Sequence, residues 1–329
     1  MKLKNKYYIG THVMFYEIEV LSELVQSFKN AIDEVKNKEN VTFELFFNVS
    51  EFFESIDTQQ ISKKELISKF NAICDDLEDN NYPITRVVYD NNKPYTIGSY
   101  RRDLNDKGCE NHDLIIWGET DCWFPKEMFF CIEGVSDYAS SENINRYCVT
   151  FAMRKMWEES WSVLEHTKFT SLPFINDLNT KDPSSIWHYM TIDEMNKINE
   201  ETEEIDLKMI DNPRFDGSCL IISSDLILNG VNIPKSCWAC GEDTSLQTMI
   251  KLIMGNSYKQ FIVKNILKAH NRNHPNKREY VKGEGHMEGQ SVKHKRRTNE
   301  KWNKVHKLAE QNLYNLGPNQ LKFNKIKQL

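Results

Sequence analysis

Two acidic residues, Glu119 and Asp121, stand one residue apart just beyond an apolar run. The run, LIIW at residues 114–117, is typical of a strand that is buried on both faces. Carboxylates at this spacing converge on one cation if the chain turns between them, and their hard oxygens suit Mg²⁺ or Mn²⁺. Ligands of open α/β sheets bind beyond the carboxyl ends of the strands. The pair therefore indicates a metal site, although two solvated acids in a turn have the same pattern.

The elements that would position this pair alternate between strands and helices. The hydrophobic periodicity predicts strands at residues 7–15, 41–47, 84–89 and 114–117, with helices at 17–38, from Ser62 onwards and at 100–107. Ser62 and Glu65 have the spacing of a capping box. Strand–helix alternation predicts an α/β fold in which a mainly parallel sheet is flanked by crossover helices.

The second half of the chain is less regular. We predict a helix at 141–164, strand character at 215–228, a helix at 244–254, a strand at 261–267 that ends towards His270, and a basic helix at 291–316. A polar and acidic stretch at 177–211 is interpreted as a peripheral insertion or lid, and the insertion is placed at about 165–211. The predicted organisation is a domain over 1–282, with halves 1–125 and 126–282, and a basic helical extension over 283–329.

Composition narrows the class of protein. The chain has 329 residues, of which 40% are hydrophobic and 27% charged, as in ordinary globular proteins. It contains no run of 18 apolar residues, so no transmembrane helix is expected, and we read no signal peptide. Eight cysteines, mostly in apolar runs, indicate reduced thiols and a cytoplasmic protein.

The order of these features resembles the GT-A-fold glycosyltransferases, which are nucleotide-sugar-dependent enzymes built on a Rossmann-like sheet. The resemblance spans roughly residues 7–270. It is carried by the segments YYIGTH, FELFFN, YRRDLNDKGCENHDLIIWGETD, RFDGSCLIISSDLI, GEDTSL and KNILKAH. One departure is Glu119, where the family usually has Asp.

The resemblance implies a divalent metal, Mn²⁺ or Mg²⁺, held by Glu119, Asp121 and His270. The alternative for His270 is a structural histidine, and His274 lies close by in the sequence. The resemblance also implies that Asp243 is a general base and that Glu242 binds the acceptor. Acids in a first helical turn are favoured by the helix dipole in any case, so a capping role explains that pair equally well.

The nucleotide-sugar donor, expected to be a UDP-sugar, needs its own partners. Either Arg101 or Arg102 could reach the diphosphate, since a guanidinium fits phosphate oxygens, and the two cannot share one helical face. Asn105 lies one turn beyond Arg101. Thr11 and Asn48, at the ends of the first two strands, could bond the base or ribose.

The C-terminal part is strongly basic. Residues 251–329 hold 18 Lys and Arg and 5 Glu without Asp, a balance of +13, whereas residues 1–250 have a balance of −19. The charges cluster at Lys293, Lys295, Arg296, Arg297, Lys301, Lys304 and Lys307. A solvated helix, a nucleic-acid surface and a membrane surface with a lipid-linked acceptor all agree with this pattern. Lys295, Arg296, Arg297 and Lys301 are our candidates for binding a polyanion.

These observations predict a metal-dependent glycosyltransferase that moves a hexosyl or pentosyl group to an acceptor hydroxyl. The acceptor is a glycan or, since the Lys- and Asn-rich composition suits an AT-rich phage or bacterial genome, a hydroxymethylated base in phage DNA, unstacked for reaction. The compartment would then be the cytoplasm of a bacterium or of a virus-infected cell. The alternative is a non-catalytic nucleic-acid-binding protein with an acidic body and a basic arm.

Overall fold

The computed structural model describes residues 1–53, 55–56, 61–155, 190–200, 202, 204–213, 217–237, 241–271, 274 and 300–316. The first half alternates strands and helices as predicted. It comprises β1 (Tyr7–Met14), α1 (Leu21–Ile32), β2 (Val41–Asn48), α2 (Lys63–Asp79), β3 (Ile84–Tyr89), α3 (Ile97–Gly108), β4 (Leu114–Gly118), β5 (Cys122–Trp123) and α4 (Met128–Ser141).

The second half continues the sheet. It comprises β6 (Tyr147–Lys155), α5 (Ile192–Glu200), β7 (Leu207–Ile210), β8 (Leu220–Ser223), α6 (Ser224–Leu228), α7 (Glu242–Met254), β9 (Lys259–His270) and α8 (Glu300–Asn315). None of the helices in the described part of the chain is both long and apolar enough to cross a lipid bilayer.

The strands form one mixed sheet in the order β3-β2-β1-β4-β8-β6-β9-β5, with β7 also paired to β9. Strands β1 to β4 are parallel, β8 runs antiparallel to β4 and β6, and β6 is parallel to β9. Six of the described strands thus share one direction. The prediction of a Rossmann-like α/β fold with a mainly parallel sheet flanked by helices is confirmed.

Strand β4 is buried on both faces, as its apolar run predicts. Leu114 and Ile116 belong to the larger core cluster, whereas Ile115 and Trp117 belong to a second cluster on the other face. Strands β1 and β8 cover its edges, and the two core clusters cover its faces. The acids that follow β4 are therefore carried by a rigid central strand.

The helix predicted at 141–164 is wrong where the structure describes it. Helix α4 ends at Ser141, and β6 begins at Tyr147. Tyr147, Val149 and Phe151 face the larger core while Cys148 faces the other cluster, which is the period of two expected for a strand. The spacing of four between Tyr147 and Phe151 fits a helix and a strand equally, and sheet pairing decides between them.

Several boundaries also differ. Helix α1 is shorter than the predicted 17–38 because a 3₁₀ turn, Phe15–Glu17, precedes it. The strand character predicted at 215–228 ends at Ser223, after which α6 follows directly. The described end of the predicted insertion forms α5 and β7, and β7 pairs with β9. Of the predicted basic helix, residues 291–299 lie outside the described residues, and the remainder forms α8.

Candidate functional site

Three of the candidate metal ligands lie together at the carboxyl end of β4. Ligand atoms of Glu119, Asp121 and His270 all lie within 4.8 Å of one another. His270 Nε2 is 3.1 Å from Glu119 Oε2 and 3.4 Å from Asp121 Oδ1. Two carboxylates and an imidazole, distant in sequence, thus form one cluster.

Strand pairing brings His270 to the acids. Cys122 on β5 stands opposite His270 at the end of β9, and the Asn271 amide donates to the Asp121 carbonyl at 2.7 Å. The Cys122 amide donates to the Glu119 carbonyl at 3.1 Å and closes a turn. This turn directs both acidic side chains towards the histidine.

Charges within the cluster shift the pKa values of His270 and Glu119. Burial opposes the protonated form of His270, but the carboxylates of Asp121 and Glu119 outweigh it and raise the pKa of His270. Burial acts to raise the pKa of Glu119, but His270 and Arg101 hold the pKa of this carboxyl well below its usual range. The ionised form of Glu119 is therefore stabilised by positive charge beside it, which a proton on His270 or a divalent cation can supply.

Arg101 joins this cluster to the acids of α7. Its guanidinium donates to Glu119 Oε1 at 2.7 Å and to Glu242 Oε1 at 2.5 Å, and it lies 4.8 Å from the Trp117 ring. The side chain is only 1% exposed. Burial acts to lower the pKa of Arg101, but Glu119 and Glu242 raise it overall, so the group stays charged. Both of these hydrogen bonds are made to carboxylates of the protein itself.

The first turn of α7 carries both predicted acceptor-side acids. Gly241 precedes it with φ +65°, a left-handed conformation that favours glycine. Glu242 faces Arg101, while Asp243 accepts from the Thr244 amide at 2.7 Å. The negative charge of Asp243 also contributes to raising the pKa of Arg101. Asp243 therefore lies near the cluster and also bonds the backbone of its own helical turn.

The candidate donor-binding residues differ in how fully they are engaged. Thr11 stands opposite Gly118 in the sheet, and its buried hydroxyl has no hydrogen-bond partner among the described residues. Asn48 contacts the His12 ring at 3.1 Å and donates to the Tyr95 carbonyl at 3.3 Å. Thr11 thus has an unused hydrogen-bonding group, but this hydroxyl is fully buried between β1 and β4.

The pair Arg101 and Asn105 shares a face of α3, as predicted. Asn105 accepts from the Trp117 indole at 2.8 Å and donates to Asn232 at 2.9 Å. Arg102 points elsewhere and lies 3.5 Å from Asp103. One arginine thus enters the site and the other does not.

The two candidate histidines occupy different environments. His270 joins the acidic cluster, whereas His274 is fully buried and lies 3.0 Å from Glu23 on α1. The ambiguity between these neighbours in the sequence is removed by strand β9, which ends at His270.

Sequence reasoning missed two neighbours of Arg101 and one buried lysine. Trp117 carries the Arg101 guanidinium on its ring, and a Cβ atom at Gly217 would lie 2.1 Å from Arg101 Nη1. Lys268 is fully buried two residues before His270 and donates to the Ser218 carbonyl. A glycine directly after Asp216 was the available signal for Gly217, but its neighbour Arg101 lies 116 positions earlier.

The basic candidates are only partly described. Lys295, Arg296 and Arg297 lie outside the described residues. Lys301 lies on α8, and its ammonium donates to the Phe52 carbonyl at 3.2 Å. The start of α8 therefore lies beside the loop that follows β2.

Two solved structures are similar to this chain at low identity. One is the galactosyltransferase LgtC in complex with donor and acceptor sugar analogues, at 8% identity and a TM-score of 0.39, covering 91% of this chain and 99% of that one. The other is a Desulfovibrio desulfuricans G20 protein provisionally assigned as a nucleotide-diphospho-sugar transferase, at 9% identity and a TM-score of 0.26. That match covers 45% of this chain, which spans 58% of the other protein's length.

No family model matches the sequence, and no curated protein matches it either. Because both TM-scores lie below 0.5, the function is inferred from the residues of the site.

Proposed function

We propose that this protein is a metal-dependent glycosyltransferase of the GT-A type, which moves a sugar from a nucleotide-sugar donor to an acceptor hydroxyl. The observation that carries the proposal is the continuous set of charges from Asp121 and His270 through Glu119 and Arg101 to Glu242. These charges link the candidate cation-binding cluster at the carboxyl end of β4 to the acidic N-terminus of α7. Ligands of open α/β sheets bind beyond the carboxyl ends of the strands.

The residues fit a divalent cation. Glu119, Asp121 and His270 would hold it, since a half-buried and a buried carboxylate with one imidazole suit Mn²⁺ better than Mg²⁺. A bound cation supplies neutralisation of the negative charge that develops on the departing diphosphate. The lowered pKa of Glu119, which neighbouring positive charge causes, supports this assignment.

The remaining residues position the reaction and carry its proton. The acceptor oxygen bonds to the anomeric carbon, the bond from that carbon to the diphosphate breaks, and its electron pair leaves with the nucleotide diphosphate. Asp243 takes the acceptor proton as general base. Arg101, whose Nη1 and Nη2 donate to two carboxylates, is assigned to holding Glu119 and Glu242 in place. Thr11 and Asn48 contact the nucleoside, which we propose to be uridine with a hexosyl or pentosyl group.

The acceptor we propose is a polyanion, in the sharpest form a hydroxymethylated base in DNA. Lys301, Lys304 and Lys307 form an exposed basic stripe on α8 beside the loop after β2, and Lys295, Arg296 and Arg297 precede it in the sequence. Phosphate neutralisation by such a stripe gives sequence-independent binding. A glycan acceptor or a non-catalytic nucleic-acid-binding protein are the competing outcomes of the tests.

The deciding experiment is thermal unfolding with a panel of UDP-, GDP- and ADP-sugars, with and without Mn²⁺. We expect one donor with Mn²⁺ to raise the melting temperature, because ligands that bind the folded state stabilise it by about 2.7 kcal/mol at 100 times Kd. Asp121→Asn should abolish this response. Asp137→Asn makes the same chemical change at an exposed ion pair with Lys4 and should respond like the wild type.

Two results would remove the proposal. One is the absence of any response to every nucleotide-sugar with Mn²⁺. The other is an equal response of Asp121→Asn and the wild type. Stabilisation by DNA alone would favour the non-catalytic binding protein.

A further inference from the structure

The C-terminal helix α8 contacts the chain at two separated places. Near its start, the Trp302 ring packs edge-to-face on Phe53, with centroids 5.2 Å apart, and Lys301 bonds the Phe52 carbonyl. Phe52 and Phe53 lie in the loop that follows Asn48 at the end of β2. The first contact is therefore on the proposed donor side of the site.

The second contact is on the proposed acceptor side. Asn312 is fully buried and donates to the Ser236 carbonyl at 3.0 Å. A Cβ atom at Gly241 would lie only 2.8 Å from Leu313 Cδ2, and Gly241 is the residue directly before Glu242. Leu316 joins the core cluster that includes Leu246 and Ile250 of α7.

One face of the helix makes both contacts. Its buried positions are Trp302, Val305, Ala309, Asn312 and Leu316, which follow the alternating spacing of three and four that defines one helical face. From 302 to 316 a helix extends by about 21 Å at 1.5 Å per residue. The two contacts therefore lie at opposite ends of this helix, one on the loop after β2 and the other on the start of α7.

We propose that α8 is a positioning element of the site, which rests on the proposed transferase function. Leu313 holds the left-handed turn at Gly241 and thereby the orientation of Glu242 and Asp243. Trp302 holds the loop after Asn48. The helix would thus fix the acceptor-side acids relative to the donor-side loop, and its outer lysines would bring a polyanion to the same rim.

The contact itself can be tested without activity. In the full chain, Leu313→Ala should raise hydrogen exchange of the amides at 241–246 about tenfold and leave β6 and β9 unchanged. Tyr314→Ala is the matched control, because Tyr314 is 64% exposed on the outer face of the same helix. Leu313→Met should keep the wild-type protection of the amides at 241–246. Unchanged exchange at 241–246, or a uniform rise throughout the fold, would overturn the proposal.

Kinetics then separate positioning from mere stabilisation. Leu313→Ala should lower kcat for transfer by about 10²-fold, since small misplacements cost that much, with the donor KM within twofold of wild type. Trp302→Ala should instead raise the donor KM. If both variants changed kcat and the donor KM equally, α8 would have only a structural role. If the wild type transfers no sugar at all, the proposed function fails, and the exchange experiment still decides the contact.

Discussion

At the scale of residues, the site is organised around the buried guanidinium of Arg101. Arg101 lies between Glu119 and Glu242, and its guanidinium is covered by these carboxylates and by Trp117. A buried arginine of this kind is stable because its fork is matched to carboxylate oxygens on two sides. Loss of the charge would leave two carboxylates uncompensated, which is far more costly than the loss of one contact. The residue therefore couples the candidate metal cluster to helix α7.

The role of Asp243 gives the residue-scale prediction. Asp243→Asn should leave donor affinity unchanged and lower kcat for transfer by about 10²–10⁴-fold, the usual contribution of a general base. Asp193→Asn makes the same change in the first turn of α5 and should keep wild-type kinetics. Steady-state kinetics check the rates, and NMR of the product checks the anomeric configuration. Retention of the anomeric configuration would favour a capping role for Asp243. A lower melting temperature of the variant that accompanies the loss of rate would favour it as well.

At the scale of elements, the site depends on how closely β1 and β4 approach. Thr11 on β1 stands opposite Gly118 at the end of β4, and a Cβ atom at 118 would lie 2.1 Å from Thr11 Oγ1. The absence of a side chain at Gly118 therefore lets the Thr11 hydroxyl lie between the two strands. This contact therefore fixes the position of the acids that follow β4.

This close approach predicts the effect of adding one methyl group. Gly118→Ala should lower the free energy of unfolding by about 1–3 kcal/mol, the usual cost of overpacking. Thr11→Ala in the same chain should restore much of it because the clashing oxygen is removed. Gly134→Ala is the control, since a Cβ there meets nothing within 4 Å, and alanine favours the helix α4 by about 1 kcal/mol. Urea unfolding measures all four proteins, and a stable Gly118→Ala single variant would contradict the argument.

At the scale of the whole molecule, charge is divided along the chain. The first 250 residues have a balance of −19 and the remainder +13. In the described part of the basic segment, Lys304 and Lys307 are exposed on the outer face of α8, whose inner face packs against the body. The described positive stripe thus lies on the helix face opposite the one that packs against the body, and its first lysine bonds the loop after β2.

The polyanion hypothesis predicts a salt dependence. In Lys304→Gln/Lys307→Gln, DNA binding should weaken, and the log–log salt slope should fall by roughly 0.7–0.9 per lost phosphate contact. Donor hydrolysis by water should remain. Lys301 is left unchanged because its ammonium bonds Phe52. Lys2→Gln/Lys36→Gln removes two exposed charges elsewhere and should leave the slope unaltered. Binding to single- and double-stranded DNA and to anionic vesicles is measured across a salt series, and no binding by the wild type would exclude a polyanionic acceptor.

The sequence by itself determined the local features. Strand β3, the capping box of Ser62 with Glu65, and the doubly buried strand β4 follow from propensity and periodicity, which act over a few residues. The acidic pair after β4 was evident for the same reason. The character of β6 was not, because Tyr147 and Phe151 are spaced for a helix as well as for a strand, and only pairing with β8 and β9 decides.

Tertiary structure alone decided which distant groups meet. His270 reaches Asp121 because β5 pairs with β9, and Arg101 reaches Glu242 across 141 positions because α3 and α7 pack on the same face of the sheet. The burial of Arg101 between two carboxylates also has no local signature. Long-range contacts of this kind depend on strand order and helix packing, which periodicity within one segment does not encode.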